Sequence, residues 1–219
     1  LEVMTERLRR EYNLTVKVGR PQVAYRETLT AQGTAEGRFV RQIGGHGHYG
    51  HVRLRVEPLP AGSGIECRNE ARPLEVPSQF VPSVEQGARE ACQVGPVAGY
   101  PLIDLRIVLT GGSCHEVDSS DVAFRAAGAM ALNDAVERAK PILLEPYMVI
   151  EVTCPEECVG AIIADLSSRR GHMLELGIRG NGRVVPARVA LAELFGYATT
   201  LRSLTSGRGT FSMQFSHYE

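Results

Sequence analysis

An α+β fold in two units is what this sequence predicts, and three observations predict it. Apolar and charged residues alternate in short runs, as over 51–57, where Val52, Leu54 and Val56 face one side. Other runs repeat apolar residues at helical spacing, as Val81, Val84, Ala88, Ala91 and Cys92 do. Pro141, directly after a helical stretch that is Ala-rich in its first half, divides one series of elements from the next.

The chain opens on a helix, because Leu1, Met4 and Leu8 recur with Arg and Glu between them. A short strand over 14–18 follows, and Gly19 and Pro21 break it. Sheet is expected over 22–58, with a glycine-rich loop at 44–50 between two strands and a turn region at 58–64. The helix over 81–92 leads to a mostly apolar strand over 101–109. Residues 111–117 read as a loop. Asp118, Ser119, Ser120 and Asp121 then supply N-cap chemistry for a helix running to about Lys140. The sheet restarts at Leu143, so a hinge open to proteolysis is expected near Pro141.

Residues 143–153 form the next strand. Pro155, Glu156 and Glu157 suit the first turn of a helix whose buried face is Val159, Ile162, Ile163 and Leu166. Arg169, Arg170 and a capping Gly171 close it. Two strands near 172–178 and 183–190, a helix marked by Tyr197, Leu201 and Leu204, and an alternation of Phe211, Met213 and Phe215 complete the chain. This order, β-α-β-β-α-β, is the ferredoxin-like plan.

The bulk numbers exclude several classes. Of 219 residues, 43% are hydrophobic, enough for real cores. No apolar run approaches the roughly 20 residues that span a bilayer, so no membrane partner is expected. The opening residues are neither a signal nor a transit peptide and begin in mid-pattern, as in a piece of a longer protein. Net charge is −1, but the basic residues cluster: 37–56 holds four arginines and three histidines with no acid, and 166–192 holds five arginines against one Glu. Both stretches are candidate polyanion contacts. Five scattered cysteines argue against a disulfide framework and fit a reducing cytoplasm.

Enzyme chemistry is poorly supported. His46, His48 and His51 could hold zinc, but no Cys or carboxylate lies within five residues of their loop to complete a site, so no metal is expected. Cys154 and Cys158 bracket Pro155 and two Glu at a helix start, with no second pair. Ser113, Cys114 and His115 adjoin in sequence, whereas catalytic triads draw on separate elements, so no catalytic residue is assigned. No Gly-Lys dipeptide occurs, hence no P-loop, and this chain is not expected to bind GTP.

Several stretches, in order and at matching spacing over the whole chain, resemble elongation factor G. They include Gly44-Gly-His-Gly-His-Tyr-Gly-His-Val52, Gly95-Pro-Val-Ala-Gly-Tyr-Pro101, His115-Glu-Val-Asp-Ser-Ser120, Ala139-Lys-Pro-Ile-Leu-Leu-Glu-Pro146 and Asp165-Leu-Ser-Ser-Arg-Arg-Gly171. The resemblance implies that 1–18 end a third domain, that 19–142 are a fourth domain with the ribosomal protein S5 domain 2-like fold, and that 143–219 are a ferredoxin-like fifth domain. It implies a monomeric cytoplasmic partner of the ribosome that assists translocation of transfer RNA and messenger RNA. It places the fourth domain in the decoding region and the fifth near the large-subunit stalk base. GTP and magnesium would belong to an N-terminal domain of the parent GTPase.

By the same resemblance the RNA-contacting tip is Gly44, Gly45, His46, Gly47, His48, Tyr49 and Gly50 together with Ser113, Cys114, His115, Glu116, Val117, Asp118, Ser119 and Ser120. From the excess of Arg over acid across 166–192, Arg169, Arg170 and His172 are expected to meet ribosomal RNA. His46, His48 and Cys114 depart from the family pattern, as does the Arg72-Pro73-Leu74 segment. A ribosomal-protection or recycling paralogue, or a free-standing RNA-binding module, therefore stays open beside the translocation factor.

Overall fold

The computed structural model describes every residue except 1, 15–18, 20–21, 44–45 and 181, and gives the backbone alone for 2–6, Ile43 and His46. The strand expected over 14–18 therefore lies outside the described residues, apart from Leu14. Helix α1 (Glu2–Tyr12) opens the chain.

The first unit is a four-stranded sheet carrying two helices. Strands β2 (Gly33–Ile43) and β3 (His46–Pro58) form a long antiparallel hairpin. β5 (Leu105–Ser113) pairs with β3, and β4 (Ile65–Asn69) lies parallel to β5, giving the order β2-β3-β5-β4. Helices α2 (Val81–Ala91) and α3 (Asp121–Arg138) pack on each other and on the sheet's apolar face. The period-2 pattern of β3 puts Val52, Leu54 and Val56 into this core, beside Leu105, Ile107, Leu109 and Phe124.

α3 is buried along Ala123, Ala127, Ala131 and Ala135. With methyl groups at these sites its backbone comes close to β2. A β-carbon at Gly37 would overlap the Ala127 carbonyl oxygen and the Ala131 nitrogen. The helix is held by shape as much as by apolar area.

Strand boundaries differ from expectation at three places in this unit. β5 begins at Leu105 rather than at 101, because Asp104 adopts φ +56° and its Oδ1 accepts the Gly64 N–H at 2.8 Å. β5 also runs on through Gly111 and Gly112 to Ser113, which were expected in a loop. A bulge at Thr110 breaks the apolar alternation, and beyond it Gly111, Gly112 and Ser113 pair with Arg53, Val52 and His51. Likewise Gly47 to Gly50 belong to β3 and pair with Phe39 to Gln42.

The second unit has its own core, built on Ile150, Val152, Ile162, Leu166, Val185 and Tyr197. Its elements are β7 (Pro146–Cys154), α4 (Val159–Ser168), β8 (His172–Met173), β9 (Gly177–Arg179), β10 (Gly182–Ala190), α5 (Tyr197–Thr205) and β11 (Thr210–Tyr218). The sheet order β11-β7-β10-β8 is antiparallel throughout, the ferredoxin-like arrangement expected from the element order. α4 closes through a left-handed Arg170 (φ +59°), with the Gly171 N–H on the Leu166 oxygen and the Arg170 N–H on the Ser167 oxygen. Gly171, expected to supply that left-handed position, instead allows close packing: a β-carbon there would press on Leu166 O and Val189.

Between the units lies a ribbon where an open hinge was expected. β6 (Pro141–Leu144) pairs antiparallel with β1 (Arg26–Leu29), and Glu145 and Glu219 exchange backbone hydrogen bonds of 2.8 and 3.0 Å. Paired backbone is a poor protease substrate, so cleavage is not expected near Pro141.

Two outcomes follow. Gly37→Ala should destabilise the chain by about 1–3 kcal/mol, while Gly160→Ala, in α4 with open space around it, should stabilise it by roughly 0.5–1 kcal/mol; thermal melts of both variants check the opposite signs. The second concerns thiols. Cys114 is exposed and Cys92 is buried, and burial pushes the Cys92 thiol up to about 12. An unfolded Cys ionises at about 8.5, so the folded state keeps a proton that the unfolded state releases. That stabilisation is complete below about pH 8.5 and is lost as pH rises towards 12. Iodoacetamide should alkylate Cys114 in the native chain and reach Cys92 only on unfolding, as peptide mapping will show.

Candidate nucleic-acid interface

The far end of the β2–β3 hairpin and the 114–120 loop come together. The Tyr49 N–H donates to Asp118 O at 2.7 Å, Tyr49 bridges Ser119 in parallel fashion, and His48 Nδ1 lies 2.9 Å from Ser120 Oγ. A β-carbon at Gly47 would strike the Asp118 carboxylate. Ser120 is the N-cap of α3, its Oγ accepting the Ala123 N–H at 3.3 Å. The loop is thus seated on the strand end and the helix start together. Gly44 and Gly45 lie outside the described residues, as does the side chain of His46.

Within the loop the backbone largely satisfies itself. The His115 N–H donates to Ser119 Oγ at 2.8 Å, and the Ser119 N–H to His115 O at 3.2 Å. The His115 side chain is 57% exposed, and its Nδ1 lies 3.4 Å from both the Asp118 amide and Asp118 Oδ2. In the neutral ring Nδ1 accepts from that amide, and Nε2 carries the proton. Cys114, Glu116 and Val117 are exposed, Val117 strongly so. Cys114 Sγ lies 4.0 Å from Leu74 O, so the exposed Leu74 joins this end of the unit.

On the outer face of the sheet a chain of hydrogen bonds fixes the side chains behind the tip. Glu36 Oε2 lies 3.2 Å from His51 Nε2 and, being a carboxylate, accepts. In a neutral ring His51 Nδ1 then accepts from Ser113 O–H, 2.9 Å away, and Ser113 Oγ accepts from Tyr49 O–H at 2.7 Å. Tyr49 is held by both its amide and its hydroxyl, and its ring centre stands 6.2 Å from that of His115. No cluster of three metal-ligating side chains occurs among the described residues.

Sequence reasoning missed Arg38, Phe39 and Arg41. Arg38 lies over the Tyr49 ring at 5.8 Å and Arg41 over Phe39 at 5.5 Å. Arg53 and Arg55, nearer the root, are paired with Glu75 and with Glu57 and Glu70. The acid-free stretch 37–56 was the available signal, but it did not separate partnered from unpartnered arginines.

The second candidate contact is not an exposed cationic pair. Arg169 is only 19% exposed: it binds Asp165 at 2.9 Å, donates to Glu193 O and Thr200 Oγ1, and lies over the Tyr197 ring. It ties α4 to α5 and so serves the core. Arg170 is exposed but paired with Glu193 at 2.8 Å. His172 is exposed on β8.

Comparisons with known proteins fit this architecture. The family model for elongation factor G, domain IV, matches residues 21–140, and that for the elongation factor G C-terminus matches 142–219. An elongation factor G of Aquifex pyrophilus is 54% identical over 219 residues, all of this chain and 31% of its own length. A crystal structure from Thermus thermophilus superposes with a TM-score of 0.90 at 38% identity, over 99% of this chain and 32% of that one. The chain therefore spans about a third of the length of the curated relative it matches.

Arg169→Ala should cost about 1.5–3 kcal/mol, the range for charged hydrogen bonds, in a urea titration. Arg170→Ala, at an exposed pair, should change stability by under about 1 kcal/mol.

Proposed function

The chain belongs to the elongation factor G family, as the C-terminal portion of a translation elongation factor, and from that premise we propose that it is a ribosome-contacting lever that assists movement of transfer RNA and messenger RNA. Its first unit, the fourth domain over 19–142, reaches the decoding region; its second, over 143–219, lies near the stalk base of the large subunit. GTP binding and hydrolysis with magnesium belong to another part of a cytoplasmic, monomeric parent.

The observation that carries this proposal is the joining of the hairpin end to the 114–120 loop through Tyr49 and Asp118. It presents the exposed His115 imidazole on a braced frame, and RNA is gripped through phosphates, 2′-hydroxyls and shape. Arg169 drops out of the RNA-contacting set because its donors are used internally, while Arg170 and His172 stay in it.

His115→Ala in the full-length parent should slow the ribosomal step while shifting stability by less than about 0.5 kcal/mol. Single-turnover translocation and a thermal melt of the same variant are the two measurements. An unchanged rate, or a melting point several degrees lower, counts against the tip assignment.

A further inference from the structure

We propose that Arg38 and Arg41 are the phosphate-holding cations of the hairpin, one on each face, so that the hairpin end is built to be flanked by RNA on both sides. This rests on the ribosome-contact proposal above and adds to it the residues and the mode of contact.

Four arginines of this unit have a carboxylate neighbour. Arg53 has Glu75, Arg55 has Glu57 and Glu70, Arg106 has Glu57 and Glu66, and Arg125 has Glu90. Among the described residues Arg38 and Arg41 form no ion pair, nor do Arg68, Arg72, Arg89 and Arg138, which lie outside the hairpin. Each guanidinium is instead laid over a ring of its own hairpin, Tyr49 or Phe39. A ring braces the guanidinium without neutralising it and leaves the edge donors for a ligand. That planar fork suits phosphate oxygens.

Alternation along β2 sets the faces. Arg38 and Val40 point to the outer face, where Tyr49 and His51 stand opposite; Phe39 and Arg41 point to the other. Arg41 borders a shallow depression with Gln42, Gly47, His48 and Asp118. Two unneutralised cations three residues apart, on opposite faces of one thin hairpin, do not suit a flat partner. They suit phosphates on both sides of an inserted element. Val40 between them is exposed.

The test measures ribosome binding by the 219-residue chain across a potassium chloride series, with Arg38→Gln, Arg41→Gln, the double variant, Arg53→Gln and the charge-retaining Arg38→Lys and Arg41→Lys. Each single Gln variant at 38 or 41 should flatten the log–log salt slope by about 0.7–0.9, and the double variant by about twice that. Arg53→Gln, whose arginine is already paired, and both Lys variants should leave the slope near the parent value. A short RNA duplex should compete for binding in an Arg38- and Arg41-dependent way, and polyglutamate should not. An unchanged slope in the Gln variants overturns the proposal, as does an equal loss in Arg53→Gln or in the Lys variants, or equal competition by polyglutamate. If the unsubstituted chain fails to bind ribosomes, the ribosome-contact proposal falls first; if it binds with a slope indifferent to Arg38 and Arg41, only this inference falls.

Discussion

The close seat of α3 on the β2–β3 hairpin is the constraint on which the first unit depends. Ala123, Ala127, Ala131 and Ala135 line the buried side of the helix, and Gly37 meets its backbone directly. Alanine loses no rotamer freedom on burial, so the seam orders cheaply, but it has no slack. Beyond Gly37 the strand continues to Gln42, which pairs with Gly47, a reach of roughly 17 Å at strand rise. A small tilt forced at the seam would become a displacement of a few ångströms at the tip. The same helix carries Ser120 at its N-cap, and Ser120 meets His48. The helix therefore positions both halves of the candidate site.

A second constraint is electrostatic and holds the junction. Glu27 is fully buried, and its two carboxylate oxygens accept the N–H groups of Val97, Ala98 and Tyr100 at 2.9–3.0 Å. A buried carboxylate costs several kcal/mol unless it is hydrogen-bonded; here oriented backbone amides take the place of a cation. The four-residue β1 is too short to hold itself. Its grip on the 95–100 loop anchors it to the first unit, and its pairing with β6 carries that anchor to the start of the second. The Arg26 guanidinium over the Tyr218 ring at 5.7 Å adds a direct tie between the units.

What the sequence revealed and what it hid follow from the same physics. Val52, Leu54 and Val56 announce their strand because one face is buried and the other is wet. Gly47, Gly50, Gly111 and Gly112 carry no such period, so they read as loop, although all four lie in paired strands. Glycine there answers to tertiary contacts: the helix backbone beside Gly50, Val76 beside Gly112. Arg169 misled for a related reason. A basic residue at a helix end looks alike whether solvated or paired, and its partners Glu193 and Thr200 lie more than twenty residues away. Asp165, one turn earlier, was the only local hint. Glu27 gave no sign, because a single acid in a short polar strand is ordinary until three amides converge on it.

The tip resolves a conflict between order and availability. A loop with no apolar core must satisfy its backbone or stay mobile, yet a site for RNA must keep donors free. Here the backbone of His115 is paired with Ser119 and the amide of Tyr49 with Asp118. The Tyr49 hydroxyl is engaged by Ser113, which is fixed in turn through His51 and Glu36. What remains outward is the set of groups whose loss costs the fold least: the His115 imidazole and the two ring-braced guanidiniums. For the proposed contact with RNA, side chains ordered in advance lose less entropy on binding, so their rigidity would add to affinity even where each single contact is weak.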